Sequence, residues 1–101
     1  MNVRLLSHAK LRMRQRRITM TQVYACLCQG VIAEPTHQDV RGDWRFTLTH
    51  RHAGDIVIVA GAIKKDDNGE WVAVITVFLE GDIHVSLHRI RTSKHLSFEW
   101  V

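Results

Sequence analysis

The chain has 101 residues, of which 46% are hydrophobic and 24% are charged, and its formal net charge is +4. This length supports one hydrophobic core, so we expect a single domain over residues 1–101. The composition is that of a globular protein and argues against a disordered chain. No apolar stretch has the length of a membrane span or the pattern of a secretory signal, and we therefore expect a soluble cytoplasmic protein that does not bind membranes.

The positive charge is concentrated at the amino-terminal end. Residues 1–17 contain six basic residues and no acid, whereas the rest of the chain has eight basic and ten acidic residues. The basic residues of this segment are Arg4, Lys10, Arg12, Arg14, Arg16 and Arg17. One interpretation is the solvated face of an amphipathic helix, and the other is a surface that binds phosphate groups.

The segment from Ser7 to Arg17 predicts a first helix of about nine residues, with Ser7 as its N-cap. On a helical period one face carries three polar side chains, His8, Arg12 and Arg16. A second face carries a narrow apolar stripe, Leu6, Ala9 and Met13. Such a helix can pack on one side and hold cations outward on another.

A second helix follows a connection at Arg17 and Ile18. Thr19 and Gln22 have the spacing of a capping box, and Gly30 is predicted to end the helix in a left-handed conformation. Cys26 and Cys28 point in different directions on a helix, so we interpret them as reduced packing residues of a cytosolic protein. A contribution of this C-x-C pair to a metal or redox site is the alternative.

The remaining segments have the alternating or continuous apolar patterns of strands. We predict strands at 31–34, 44–49, 56–63, 71–78 and 83–88, the first of them stopped by Pro35. A turn at 66–69 makes residues 55–78 a hairpin at the centre of the sheet. The carboxy-terminal residues Leu96, Phe98 and Trp100 are expected to add an edge strand or to dock as a tail. The predicted fold is α+β, with two amino-terminal helices packed on one face of a twisted, mainly antiparallel sheet of four or five strands.

His8 is the first candidate for chemistry. Cleavage of RNA without a metal requires a base for the 2′-OH proton, cations for the charge on the phosphate and an acid for the leaving oxygen. Histidine can serve as base or acid, and the arginine fork matches phosphate, so His8, Arg12 and Arg16 form a suitable set. The alternative is that His8 only caps or packs the helix.

Two further groups of polar residues are weaker candidates. Thr76 is the polar side chain within an apolar strand, and it is either an ordinary strand residue or a group at the site. The pairs His50/His52 and His84/His88 each share a strand face, where they either lie exposed, bind a metal or provide a second proton-transfer group. No phosphate-binding glycine loop, H-E-x-x-H sequence or elbow serine is present, and we expect neither a cofactor nor a metal.

The motif His8-Ala9-x-x-Arg12-Met13-x-x-Arg16-x-Ile18, followed by a capped helix ending at Gly30-Val31-Ile32, resembles the opening of a small domain family formerly of unknown function. That family is related to the RelE/ParE toxins of the barnase, EndoU, colicin and RelE superfamily. The strand Val74-Ile75-Thr76-Val77-Phe78 is similar to the last strand of its members. The resemblance covers about residues 5–79, and residues 80–101 extend beyond it.

The resemblance implies a RelE-like helix–helix–sheet domain, often a ribonuclease toxin of toxin–antitoxin or toxin–immunity systems, with an antitoxin or immunity protein as partner. Carried over by position, the catalytic set is His8, Arg12, Arg16 and Thr76, and Lys10, Arg14 and Arg17 would bind the RNA substrate. His84 and His88 lie beyond the resemblance, and the sequence leaves open whether either provides the second proton-transfer group. The alternative is a non-catalytic module of the same fold that binds nucleic acid or protein, or forms a homodimer through residues 80–101.

Overall fold

The computed structural model describes residues 2–80, so the predicted strand at 83–88 and the tail with Leu96, Phe98 and Trp100 lie outside the described residues. Within this range the elements are β1 (Asn2–Leu5), α1 (Ser7–Arg16), α2 (Met20–Gln29), β2 (Val31–Gln38), β3 (Trp44–His52), β4 (Asp55–Asp66) and β5 (Gly69–Leu79). Side chains of both helices share one core with the sheet, and the predicted α+β architecture is confirmed.

The described strands form a five-stranded sheet in the order β1-β5-β4-β3-β2. The β2–β3, β3–β4 and β4–β5 pairs are antiparallel, as predicted, and the hairpin of β4 and β5 lies inside the sheet. The edge strand β1, which the sequence pattern did not predict, runs parallel to β5. A four-residue strand has too little periodicity to be recognised, and its pairing with β5 connects opposite ends of the described chain.

The ends of the helices differ in part from the prediction. Ser7 is the first residue of α1, and the N-cap is Leu6, which makes no side-chain cap hydrogen bond. Thr19 and Gln22 form the predicted capping box. The backbone N–H of Gln22 donates to the Thr19 hydroxyl at 3.1 Å, and the backbone N–H of Thr19 donates to Oε1 of Gln22 at 2.9 Å. Gly30 is extended, with φ −68° and ψ 160°, so its predicted left-handed conformation is wrong.

The strand β2 continues through Pro35 to Gln38, beyond the predicted stop. This is possible because β2 is an edge strand, where proline need not donate to a second neighbour. The pairing of β2 with β3 shifts register between Ile32 and Glu34 and again between Glu34 and His37. These irregularities accommodate the proline without ending the strand.

The core lies between the helices and one face of the sheet. Ala9 and Met13 of α1 and Val23 and Cys26 of α2 pack with valines of the central strands, namely Val57, Val59, Val74 and Val77. Cys26 and Cys28 are both free thiols, as expected, but only Cys26 is buried. Burial raises the pKa of the Cys26 thiol to about 11, and its Sγ–H donates to the Val57 carbonyl at 3.7 Å. The expected packing role therefore holds for Cys26 and is wrong for the exposed Cys28.

A β-bulge interrupts the central pair of strands. Gly61 pairs with Val74 and Ala60 with Thr76, so Ile75 is the extra residue of β5. Gly61 is required here, because a Cβ atom at this position would lie 2.5 Å from the Ala73 carbonyl oxygen and 2.7 Å from Cζ of Phe46. Side chains of β5 alternate between the two faces of the sheet. Because of the extra residue, each residue of β5 after the bulge lies on the face opposite to the one it would occupy in a regular strand.

Candidate nucleic-acid interface on helix α1

The helix α1 has one buried row of side chains. Ala9 is fully buried and Met13 is 9% exposed, and the two are spaced i, i+4. Because each residue of a helix advances by about 100°, the rows that begin at positions 8 and 10 lie on either side of this buried row. The first of these rows is His8, Arg12 and Arg16, and the second is Lys10 and Arg14. The structure therefore divides the cations of α1 between two flanks.

The first flank holds the predicted His8, Arg12 and Arg16. His8 and Arg16 are exposed and Arg12 is half-buried, so all three share one accessible side of the helix as the spacing predicted. The carboxylates of Asp39 and Asp43 pair at 3.0 Å with Arg45 and Lys64, far along the chain from α1. These two acids are therefore engaged by basic residues of the sheet strands β3 and β4.

The second flank holds Lys10 and Arg14, both exposed, and the helix ends at Arg17 with φ 55° and ψ 40°. Arg14 and Arg16 lie in the last turn, where positive charge is favourable near the carbonyl end of the helix dipole. No acid lies in the first turn. Part of the cationic character of α1 is thus explained by helix stability, but Lys10, Arg12 and Arg17 are not explained in this way.

The structure does not bring Thr76 to the other three predicted site residues. α1 packs over β5, and Val77 lies in the same core as Ala9 and Met13. Thr76 precedes Val77 in β5 and pairs with Ala60 of β4. Because side chains alternate along a strand and paired residues share a face, Thr76 and Ala60 lie on the face of the sheet away from α1. Thr76 is only 4% exposed. The predicted four-residue constellation is therefore divided by the sheet.

The bulge is the reason for this separation. In a regular strand Val72, Val74 and Thr76 would share one face. Val74 belongs to the core that includes residues of both helices, and Val72 packs against that core. The extra residue Ile75 turns Thr76 to the opposite face. Nothing in the alternation of residues 71–78 indicates such an insertion. The adjacent Gly61 is the available signal, since an isolated glycine in an apolar strand is typical of a bulge.

Arg4 also lies apart from the cations of α1. It pairs with Ala73 in the parallel ladder, which places it on the sheet face away from the helices. Its guanidinium carbon lies 4.3 Å from the ring centroid of Trp71. At this distance the cation interacts favourably with the face of the indole ring. The sequence did not reveal this contact because it depends on the parallel pairing of β1 with β5.

Of the two predicted histidine pairs, the pair of His50 and His52 on β3 lies within the described residues. Their ring centroids are 6.5 Å apart, and Nδ1 of His52 is buried without a hydrogen-bond partner in the described part of the protein. Residues 2–80 contain no group of three or more His, Cys, Asp or Glu side chains arranged to hold a metal ion. His84 and His88 lie outside the described residues.

The fold and this helix define a class: a small α+β domain in which a cationic helix packs on a mixed five-stranded sheet. The chain belongs to the family described as a domain of unknown function, DUF4258, which matches residues 5–79. No curated protein matches the chain. Among the described residues no helix is long and apolar enough to span a membrane. Because the family description assigns no function, function has to be argued from the residues of the site.

Proposed function

We propose that this domain binds RNA through the flank of α1 formed by His8, Arg12 and Arg16, and that it cleaves the bound RNA without a metal. The observation that carries the proposal is the accessible row of one histidine and two arginines on a helix without acidic residues. The arginines match the shape and charge of phosphate groups, and histidine is the side chain that most often serves as a general acid or base.

The proposed reaction uses the 2′-OH of the RNA as nucleophile. His8 accepts the 2′-OH proton while water protonates the leaving 5′-oxygen, or in the opposite assignment water accepts the 2′-OH proton and His8 protonates the 5′-oxygen. The 2′-oxygen bonds to the adjacent phosphorus as the bond to the 5′-oxygen breaks, which leaves a 2′,3′-cyclic phosphate. Arg12 and Arg16 stabilise the negative charge that develops on the phosphate. Lys10, Arg14 and Arg17 add to the positive field that attracts the RNA.

The relation to RelE/ParE toxins remains part of this proposal and rests on the resemblance of residues 5–79. In that setting a neutralising antitoxin or immunity protein would be required. Thr76 is left out of the proposed site, because it lies on the opposite face of the sheet. The same observation favours a second candidate function, in which the domain binds RNA without cleaving it, since the first flank then lacks its fourth predicted group.

The binding step is tested by the salt dependence of affinity for a single-stranded RNA. Each phosphate neutralised contributes about −0.7 to the slope of log K against log salt, so the Arg12→Ala/Arg16→Ala variant should reduce the steepness by about 1.4. Fluorescence anisotropy over several salt concentrations measures this slope. The matched control is Arg41→Ala/Lys65→Ala, which removes two exposed cations from elsewhere. A slope and affinity equal to the parent's in the α1 variant would contradict the proposal.

The cleavage step is tested by incubating RNA with the purified protein in EDTA. His8→Ala should lower the cleavage rate by about 10² to 10⁴-fold, the usual contribution of general acid–base catalysis, with little change in RNA affinity. His37→Ala, which removes an exposed histidine of β2, is the matched control. Unchanged cleavage in His8→Ala would remove His8 from the mechanism. RNA binding without cleavage by the parent would establish the second candidate function.

A further inference from the structure

A groove lies beside α1 on the flank that carries Lys10 and Arg14. Its volume is about 540 Å³, within the range of ligand sites in proteins. The lining comes from the end of β1, from α1, from the connection between the helices and from the start of α2: Leu5, Lys10, Met13, Arg14, Ile18 and Met20. His8 and Arg12 are not among these residues, so the groove is separate from the proposed RNA flank.

The floor of the groove is aliphatic. Met13 and Ile18 are 9% and 5% exposed and belong to the core, whereas Met20 at the start of α2 is 37% exposed. The floor is therefore formed by core side chains on one side and by an accessible methionine on the other. Methionine side chains adapt to irregular apolar partners, and they are frequent at surfaces that bind amphipathic helices.

The rim of the groove is cationic. Lys10 and Arg14 are exposed and spaced i, i+4, so they lie one helical turn apart along the groove. No acidic side chain lines the groove among the described residues. A ligand that covers the aliphatic floor and offers two negative charges at its edge would complement both features.

Two kinds of anionic ligand, an RNA and an acidic peptide, could pair with the cationic rim, and the chemistry of the lining favours one of them. Single-stranded RNA binds mainly through bases that stack on aromatic rings, while basic side chains hold the phosphates. The described lining contains no aromatic residue, and its floor of leucine, isoleucine and methionine side chains suits the aliphatic side chains of a peptide. The chemistry of the floor therefore favours protein over RNA.

We propose that this groove binds an acidic amphipathic helix of another protein, whose apolar row enters the floor while its carboxylates pair with Lys10 and Arg14. This inference goes beyond the proposed RNA function and does not depend on it, because the RNA flank lies on the other side of the buried row of α1. A partner bound in the groove would contact the same helix that carries His8.

The test uses a synthetic helical peptide with leucines at i, i+3 and i+7 and glutamates flanking that row. The control peptide has glutamine in place of every glutamate. We expect saturable shifts of the methyl resonances of Met13 and Met20 on titration with the acidic peptide. The loss of two ion pairs should weaken binding about tenfold, both for the glutamine peptide and for Lys10→Gln/Arg14→Gln with the acidic peptide.

The protein control is Arg41→Gln/Lys65→Gln, which has the same net charge as the groove variant and should bind the acidic peptide like the parent. Equal affinity for the two peptides, or shifts that avoid both methionines, would overturn the proposal. So would the absence of binding at about 1 mM peptide, the weak limit of specific association. A short oligoribonucleotide that shifts the two methionine methyls when the acidic peptide does not would assign the groove to RNA instead. Failure of RNA binding in the anisotropy experiment would leave this test unaffected.

Discussion

The backbone conformation of Arg17 is expected to lower the stability of the domain. It ends α1 with φ 55°, a left-handed conformation that is unfavourable for a side chain with a Cβ atom. We expect Arg17→Gly to be more stable to unfolding than Arg17→Ala by about 1 kcal/mol, because only glycine relieves the strain while both variants lose the charge. Chemical denaturation of the two variants measures the difference. Equal stabilities would show that the backbone is not strained at Arg17.

The element that decides the composition of the site is β5. Its bulge at Ile75 turns Thr76 away from α1, so we expect Thr76→Val to leave RNA affinity and its salt dependence unchanged. Valine keeps the shape of threonine but lacks its hydroxyl, so we expect the free energy of unfolding to fall by about 1 kcal/mol, the usual contribution of one hydrogen-bonding group. Anisotropy with the same RNA, together with a denaturation curve, provides the measurement. A loss of RNA affinity in a normally folded Thr76→Val protein would return Thr76 to the site.

At the scale of the whole molecule, the sheet separates two surfaces of different character. The helical face presents α1, with its RNA flank on one side of the buried row and its groove on the other. The opposite face carries Arg4 stacked on Trp71, together with Thr76. The RNA and peptide experiments therefore address neighbouring flanks of one helix, and the Thr76 experiment addresses the far side of the sheet. Their outcomes can be distinguished because the substitutions lie on different flanks of α1 or on opposite faces of the sheet.

Local sequence was sufficient wherever local interactions decide the structure. The capping box of Thr19 and Gln22, the apolar run of β4 and the turn before Gly69 were predictable, because each depends on residues close together in the chain. The i, i+4 spacing of His8 and Arg12 likewise determined that they share an accessible flank of α1. By contrast, the boundary errors at Ser7, Gly30 and Pro35 arose where the preferred conformation of one residue was overridden by its surroundings.

Tertiary structure alone decided which groups meet. The parallel pairing of β1 with β5 placed Arg4 on Trp71, and it is non-local, so no pattern within residues 2–5 could predict it. The bulge opposite Gly61 decided the face of Thr76, because one inserted residue reverses the alternation on which the sequence argument depended. The groove of Leu5, Ile18 and Met20 beside Lys10 and Arg14 exists only because β1, the connection between the helices and α2 converge on α1. The sequence by itself thus determined the fold class and the charge of α1, while long-range pairing decided what that helix faces.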